Sequence, residues 1–111
     1  MAQDTTLLDV SPVRSRDEVI ARLRAHEAEI RKHGAIALFL FGSGARDALQ
    51  FDSDIDLFID YDPDGDFSFV EWVRLVECLP KMLGRKVDFT TRGGLHKRMR
   101  DEVEREALRV F

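Results

Sequence analysis

A small α/β domain, in which helices cover a mixed β-sheet of few strands, is the fold class this chain predicts. Three observations carry that expectation. Two short runs have the length of buried strands rather than of helices: residues 35–41, continuously apolar, and residues 54–60, apolar apart from their carboxylates. The stretches around them place apolar residues at helical spacing, two of them behind a serine with a glutamate three positions on. The resulting order is helix, strand, short helix, strand, helix, strand, helix, which is a sheet with helices packed on it.

The elements follow in order. The first 15 residues lack periodicity and read as a loose lead-in to a folded domain over 16–111. Ser15 and Glu18 have the spacing of a capping box, and Val19, Ile20, Leu23 and Ile30 make an apolar stripe behind it, interrupted by Glu27. Gly34 ends that helix. Ala35 to Phe41 is the first strand, and Gly42 to Leu49 a glycine-rich turn opening a short helix. Asp54 to Asp60 is the second strand, followed by a turn at residues 61–66. Ser68 and Glu71 form the second capping box, before a helix whose apolar face is Phe69, Trp72, Val73, Val76 and Leu79. Pro80 should end or kink it, because proline has no N–H and clashes with the preceding turn. Lys86 to Thr91 is the third strand. Gly93 and Gly94 then release a last helix with Leu95, Met99, Val103 and Ala107 along one side.

At 111 residues and 44% apolar composition, the chain is one domain with enough core to fold without staples. Its one cysteine, Cys78, excludes an internal disulfide and reads as a near-core residue. No run approaches the roughly 20 apolar residues of a membrane span, and the first residues show no basic, apolar leader, so a cytoplasmic protein is expected. A net charge of −4, from 21 acidic and 17 basic residues, disfavours sequence-independent binding of nucleic acid. The cluster Arg92, Lys97, Arg98 and Arg100 reads as a solvated face, as do His26, His33 and His96, and Trp72 reads as core.

The informative stretch runs from Phe41 to Leu57. A buried strand stops at Gly42 and a short helix begins at once, so free backbone N–H groups and a partial positive charge are offered to a phosphate. Gly42 and Gly44 permit close approach, and the Ser43 hydroxyl can donate to a phosphate oxygen. Asp54 and Asp56, two apart on a strand, project from one face about 7 Å apart at the backbone, while Ile55 and Leu57 turn into the core. Paired carboxylates on a rigid strand suit a hard divalent cation such as Mg²⁺. Asp88, in the middle of the third strand, would stand within about 5 Å of the pair if its strand were a neighbour. A carboxylate buried alone in an apolar strand would be costly, and a shared metal site would account for it. Arg46 can bind phosphate or pair with Asp47 or Asp52; Asp52 and Asp60, towards the strand ends, read as solvated.

Gly42-Ser43, ten intervening residues and Asp54-Ile55-Asp56 resemble the signature of the polymerase-β-like nucleotidyltransferase superfamily, most closely its minimal MNT branch. Ala45-Arg46, Asp88 within Val87-Asp88-Phe89, and Glu106-Ala107 add to the resemblance, which spans residues 18 to 111. Asp47 departs from it, since the branch commonly has glycine there. An acidic side chain at that point would be mildly unfavourable beside a triphosphate.

The resemblance implies the polymerase-β-like nucleotidyltransferase fold and a Mg²⁺-dependent transfer of a nucleoside monophosphate, AMP from ATP, to an acceptor hydroxyl with release of pyrophosphate. Asp54 and Asp56 would hold the metal ions, and Asp88 would complete the second metal site and help draw off the hydroxyl proton. Gly42 and Ser43 would take the β- and γ-phosphates, with Arg46 beside them. Catalysis of this kind is positioning and charge neutralisation, with no side-chain nucleophile. Larger members of the superfamily carry a second domain that shapes the acceptor site, and 111 residues leave no room for one. The acceptor is therefore expected on a separate protein: a helical HEPN toxin, with this chain as the antitoxin of the pair in a hetero-oligomer. Some members of the branch transfer AMP to a tyrosine of that toxin. Two other readings stand beside this one, an antitoxin that acts by contact alone and an enzyme that modifies a small, aminoglycoside-type molecule.

Overall fold

The computed structural model describes residues 11–111. Its elements are α1 (Arg16–Ala25), α2 (Glu27–Lys32), β1 (Ala35–Phe41), α3 (Gly42–Ala45), β2 (Ile55–Tyr61), α4 (Phe69–Leu83), β3 (Val87–Thr91), a 3₁₀ turn (Arg92–Gly94), α5 (Lys97–Glu106) and β4 (Leu108–Arg109). The four strands form one sheet in the order β3-β2-β1-β4. β1 runs antiparallel to both β2 and β4, and β2 runs parallel to β3. A parallel pair needs a crossover, and α4 supplies it. The expected small mixed sheet covered by helices is what forms.

Alternation along the strands divides the sheet into two faces. On one, Leu38 and Leu40 of β1 and Ile55, Leu57 and Ile59 of β2 are fully buried against Val19 and Leu23 of α1, Ile30 of α2, and Leu75, Leu79 and Leu83 of α4. Each such aliphatic side chain contributes roughly 2 kcal/mol by leaving water. On the other face, Phe58 is buried with Leu95 and Val103, and Phe39, Phe41 and Ala107 pack around them. Phe39 and Phe58 are directly paired in the register and stack at 4.8 Å. α5 closes this second face, so the sheet is covered on both sides.

Several local expectations are corrected. The first helix is two: it breaks at His26, beside the Glu27 that interrupts the apolar stripe, where the His26 N–H turns back to Leu23 O at 3.1 Å. Ser15 caps α1 by accepting the Glu18 N–H at 3.2 Å, but Glu18 reaches past Ser15 to the Arg14 N–H at 3.1 Å. Ser68 stands at the N-cap of α4 without a side-chain cap bond, and its expected partner Glu71 lies 3.4 Å from His33 Nδ1. His33 is thus half-buried, not on the surface. Pro80 does not end α4, which continues to Leu83 and stops at Gly84 in the left-handed conformation (φ 67°). The N–H that proline lacks would have bonded Val76 O, and the helix is open to water at Val76.

The inward face of α4 is also rotated from the expected one. Leu75, Leu79, Met82 and Leu83 are buried, whereas Phe69 is 78% exposed and Val76 is exposed. Trp72, half-buried, stacks on Phe89 of β3 at 4.6 Å. Of the lead-in, residues 1–10 lie outside the described residues. Its end is packed: Val13 is fully buried and its N–H donates to Leu83 O at 3.0 Å.

Candidate active site

Strand register assembles the site. Phe41, at the end of β1, lies opposite Asp56, and Asp88 lies opposite Asp56 on its other side. Adjacent strands are about 4.8 Å apart, so Asp56 and Asp88 are neighbours on one face. Asp56 is half-buried, and its carboxyl is pushed up from 3.8 to about 6, first by burial and then by the negative charges of Asp88 and Asp54; Arg46 opposes the shift. The chain leaves β1 through Gly42, whose φ of 69° favours glycine. A Cβ there would fall on the Asp56 carboxylate oxygen, so the backbone of Gly42 and this carboxylate are in close approach.

A cleft of about 600 Å³ opens over this row. Gly42, Arg46, Asp56 and Asp88 line its floor, and His96, Met99, Glu102 and Glu106 come from α5 and its N-cap. Arg92 holds that wall in place. Its guanidinium grips Asp60 of β2 in a bidentate pair at 2.7 and 3.0 Å, also bonds Glu104 of α5, and lies over the rings of Phe39 and Phe58. Both carboxylates drive the Arg92 pKa upward. Neither Asp60 nor Arg92 is therefore the solvated residue expected. They join the sheet to α5 across a gap that only the fold closes.

The other expected site residues are placed less simply. Asp54 stands one residue before β2, exposed, rather than on the strand. It acts on Asp56 electrostatically, yet lines a neighbouring cleft of about 630 Å³ beyond the start of β2 and β3. Asp88 is exposed, so the burial argument does not hold for it; what marks it is its charge beside Asp56. Ser43, half-buried in α3, lines neither cleft. α3 is one turn of four residues, too short for a strong dipole. Arg46 pairs at 3.6 Å with Glu106, not with Asp47 or Asp52. Asp47 adopts the left-handed conformation (φ 56°), where glycine is at ease, and accepts the Arg16 N–H at 2.9 Å. Its charge is spent on the N-terminus of α1 instead of facing the cleft.

Sequence reasoning missed Thr90, His96, Glu102 and Glu106 as cleft residues. The i, i+4 spacing of Glu102 and Glu106 was the one available signal for a shared helix side.

The side chains around Asp56 offer oxygen donors only, the chemistry that hard divalent cations prefer. Three oxygen-only side chains repel one another around Asp56, and a cation among them would relieve that repulsion. Among the described residues no group of three or more His, Cys, Asp or Glu side chains is arranged to hold a metal ion by itself. Mg²⁺ characteristically completes its octahedron with substrate phosphates and water rather than with protein alone. Among the described residues no helix is long and apolar enough to cross a membrane.

Comparison with known proteins places this geometry. The nucleotidyltransferase domain family matches over residues 23–110. The protein adenylyltransferase MntA of Thermococcus cleftensis is 30% identical over 95 residues, covering 85% of this chain and 94% of its own. A Methanocaldococcus jannaschii protein, named as a candidate protein adenylyltransferase, is 35% identical over 85 residues, or 76% of this chain and 85% of its own. A solved structure of a candidate minimal nucleotidyltransferase superposes with a TM-score of 0.71 at 33% identity, over 84% of this chain and 93% of that one. With the Gly42 turn set against Asp56 and Asp88 beside it, the chain belongs to the nucleotidyltransferase domain family, in its minimal polymerase-β-like branch, and is a nucleotidyltransferase.

Proposed function

We propose that the protein is a Mg²⁺-dependent protein adenylyltransferase that moves AMP from ATP to a hydroxyl of a partner protein, as the antitoxin of a toxin–antitoxin pair with a helical HEPN toxin. The observation that carries the reaction is the Asp56–Asp88 pair in register, with Gly42 against Asp56 and Asp54 two residues before it. The names of the relatives support a protein as acceptor.

In this reading Asp54, Asp56 and Asp88 would hold Mg²⁺, with substrate phosphates completing its shell, and the ion would supply neutralisation of phosphate charge. The turn at Gly42-Ser43 takes the β- and γ-phosphates, and Arg46 exchanges Glu106 for a phosphate oxygen. The acceptor oxygen bonds to the α-phosphorus, the bond from that phosphorus to the bridging oxygen breaks, and pyrophosphate leaves. Asp88, the exposed carboxylate, takes the hydroxyl proton. The half-buried Asp56 is the fixed member of the set.

Thermal unfolding with and without Mg²⁺ and ATP tests the site. At about 100 times its Kd a ligand stabilises the native state by about 2.7 kcal/mol. Wild type should show that shift, and Asp54→Asn/Asp56→Asn should not. Equal shifts in both proteins would remove these carboxylates from the site. Incubation with labelled ATP and a co-purified partner tests the transfer. A partner neutralised equally well by the double variant would show an antitoxin acting by contact alone.

A further inference from the structure

The cleft over Asp56 and Asp88 is acidic, and among the described residues that line it Arg46 is the one arginine or lysine. That cation is already engaged. Glu106, the last residue of α5, reaches its guanidinium at 3.6 Å. We propose that Glu106 is a positioning residue for product release: it competes with phosphate for Arg46 and, by retaking the guanidinium, promotes the departure of pyrophosphate. The proposal rests on the adenylyltransferase reading above, in which Arg46 meets the outer phosphates, and assigns a residue to its last step.

The first support is the weakness of the contact. The pair is wide, and its side chains are 55% and 38% exposed. Exposed ion pairs of this kind are held loosely and screened by salt. A phosphate of higher charge can displace the carboxylate, and the carboxylate can return once pyrophosphate has lost its bond to the nucleoside. Glu104, two residues earlier, is the contrast. It is bonded by Arg92, which also grips Asp60 at 2.7 and 3.0 Å. One carboxylate at this helix end is clamped, and the other is exchangeable.

The second is where α5 puts that carboxylate. The C-terminus of a helix carries a partial negative charge, which favours a cation and disfavours an anion. α5 is charged the other way: Lys97 and Arg98 stand at its start, and Glu102, Glu104 and Glu106 crowd its end beside Arg105. A phosphate that holds Arg46 leaves Glu106 against both the helix end and the acidic cleft. Recovering the guanidinium relieves both.

The third is what can move. The Arg46 N–H donates to Gly42 O at 3.2 Å, and the next residue, Asp47, accepts the Arg16 N–H at 2.9 Å. The backbone around Arg46 is thus tied to the Gly42 turn on one side and to α1 on the other. The exchange falls to two exposed side chains, whose rotamers change fast and without movement of the sheet.

Isothermal titration of the whole chain in Mg²⁺ with inorganic pyrophosphate, ATP and AMP tests the assignment, and needs no partner protein. Glu106→Gln keeps the shape of the side chain and removes its charge. It should tighten pyrophosphate and ATP by about threefold, within the range an exposed ion pair can cost. AMP, which lacks the two outer phosphates, should stay within about 1.5-fold, since it does not reach Arg46. Glu102→Gln removes an equal charge from the same cleft wall but not the partner of Arg46, and its gain should also stay below about 1.5-fold. Melting of the ligand-free proteins should show both variants folded.

Unchanged or weaker pyrophosphate binding in Glu106→Gln overturns the proposal; weaker binding would mean that Glu106 aims Arg46 at the phosphate instead. Equal gains in the two variants overturn it too, because general charge and not Arg46 would then be at work. So does an equal gain for AMP, which would put Arg46 on the phosphate that stays with the nucleoside. Wild type that binds neither ATP nor pyrophosphate brings down the underlying nucleotide site instead.

Discussion

On one face of β2, Ile55, Leu57 and Ile59 are fully buried in a single apolar layer; on the other, Asp56, Phe58 and Asp60 alternate with them and meet three different environments. Asp56 faces like charges, Phe58 sits in a small aromatic cluster, and Asp60 is gripped by Arg92. The contrast separates two kinds of constraint. Burial of the first face asks only for apolar bulk, so neighbouring residues are interchangeable in kind. Each residue of the second face answers to a particular partner, and replacing it changes a particular property.

The largest effect should come from the uniform face. Leu57→Ala removes a fully buried side chain and leaves a cavity, and should destabilise by about 3 kcal/mol in urea unfolding. A loss below about 1 kcal/mol would show a layer that collapses freely, and would break the comparison.

Next is Arg92→Ala, which leaves Asp60 and Glu104 facing each other's charge and strips the cation from over Phe39 and Phe58. Both pairs are about a third exposed, so about 2 kcal/mol is expected rather than the full cost of breaking a buried pair. Because α5 forms the wall of the nucleotide cleft, Mg²⁺-ATP affinity should fall too. Unchanged affinity would mean that the wall stands without its clamp.

Asp56→Asn should have the opposite sign. A carboxyl pushed up to about 6 in the folded protein, from an ordinary 3.8, holds its proton more tightly in the native state. Its contribution to stability is present at acid pH and is lost as pH rises through roughly 4 to 6. The asparagine variant should therefore be more stable than the ligand-free wild type at pH 7. With partial solvent screening, about 1 kcal/mol is expected. The difference should vanish by about pH 4, and melting curves across that range would decide it. A variant less stable than wild type at pH 7 would mean that Asp56 makes a favourable contact instead.

Smallest is Asp47→Gly, away from both faces. Glycine relieves the left-handed backbone but loses the bond to the Arg16 N–H, so the two effects should cancel to within about 0.5 kcal/mol. Asp47→Ala keeps the strain and loses the bond, and should be worse than glycine by about 1 kcal/mol.

The fold and its candidate site were legible in the sequence to different degrees. β1 and β2 stand out because a strand buried on one face and interrupted by chemistry on the other is continuous in sequence and bounded by glycine or aspartate. The apolar side of α4 was placed on Phe69, Trp72, Val73, Val76 and Leu79; of these Leu79 is fully buried, but Leu75 and Leu83 are the others turned fully inward. Both stripes have helical period, and the choice between them lay with α1 and the sheet, which sequence spacing does not contain. β4 has two residues, too few for any period, and exists because β1 offers it a free edge.

By itself the chain order of residues determined the fold class, the two central strands and the spacing from Gly42-Ser43 to Asp54-Asp56, because local geometry converts sequence spacing directly into direction along a strand. Only three-dimensional packing settled that Asp88 stands exposed beside Asp56, that Asp54 opens on a second cleft, and that Arg92 joins Asp60 to Glu104. Those relations join residues far apart in the chain, and their strength depends on burial and on neighbouring charge, quantities that do not exist until the strands have paired.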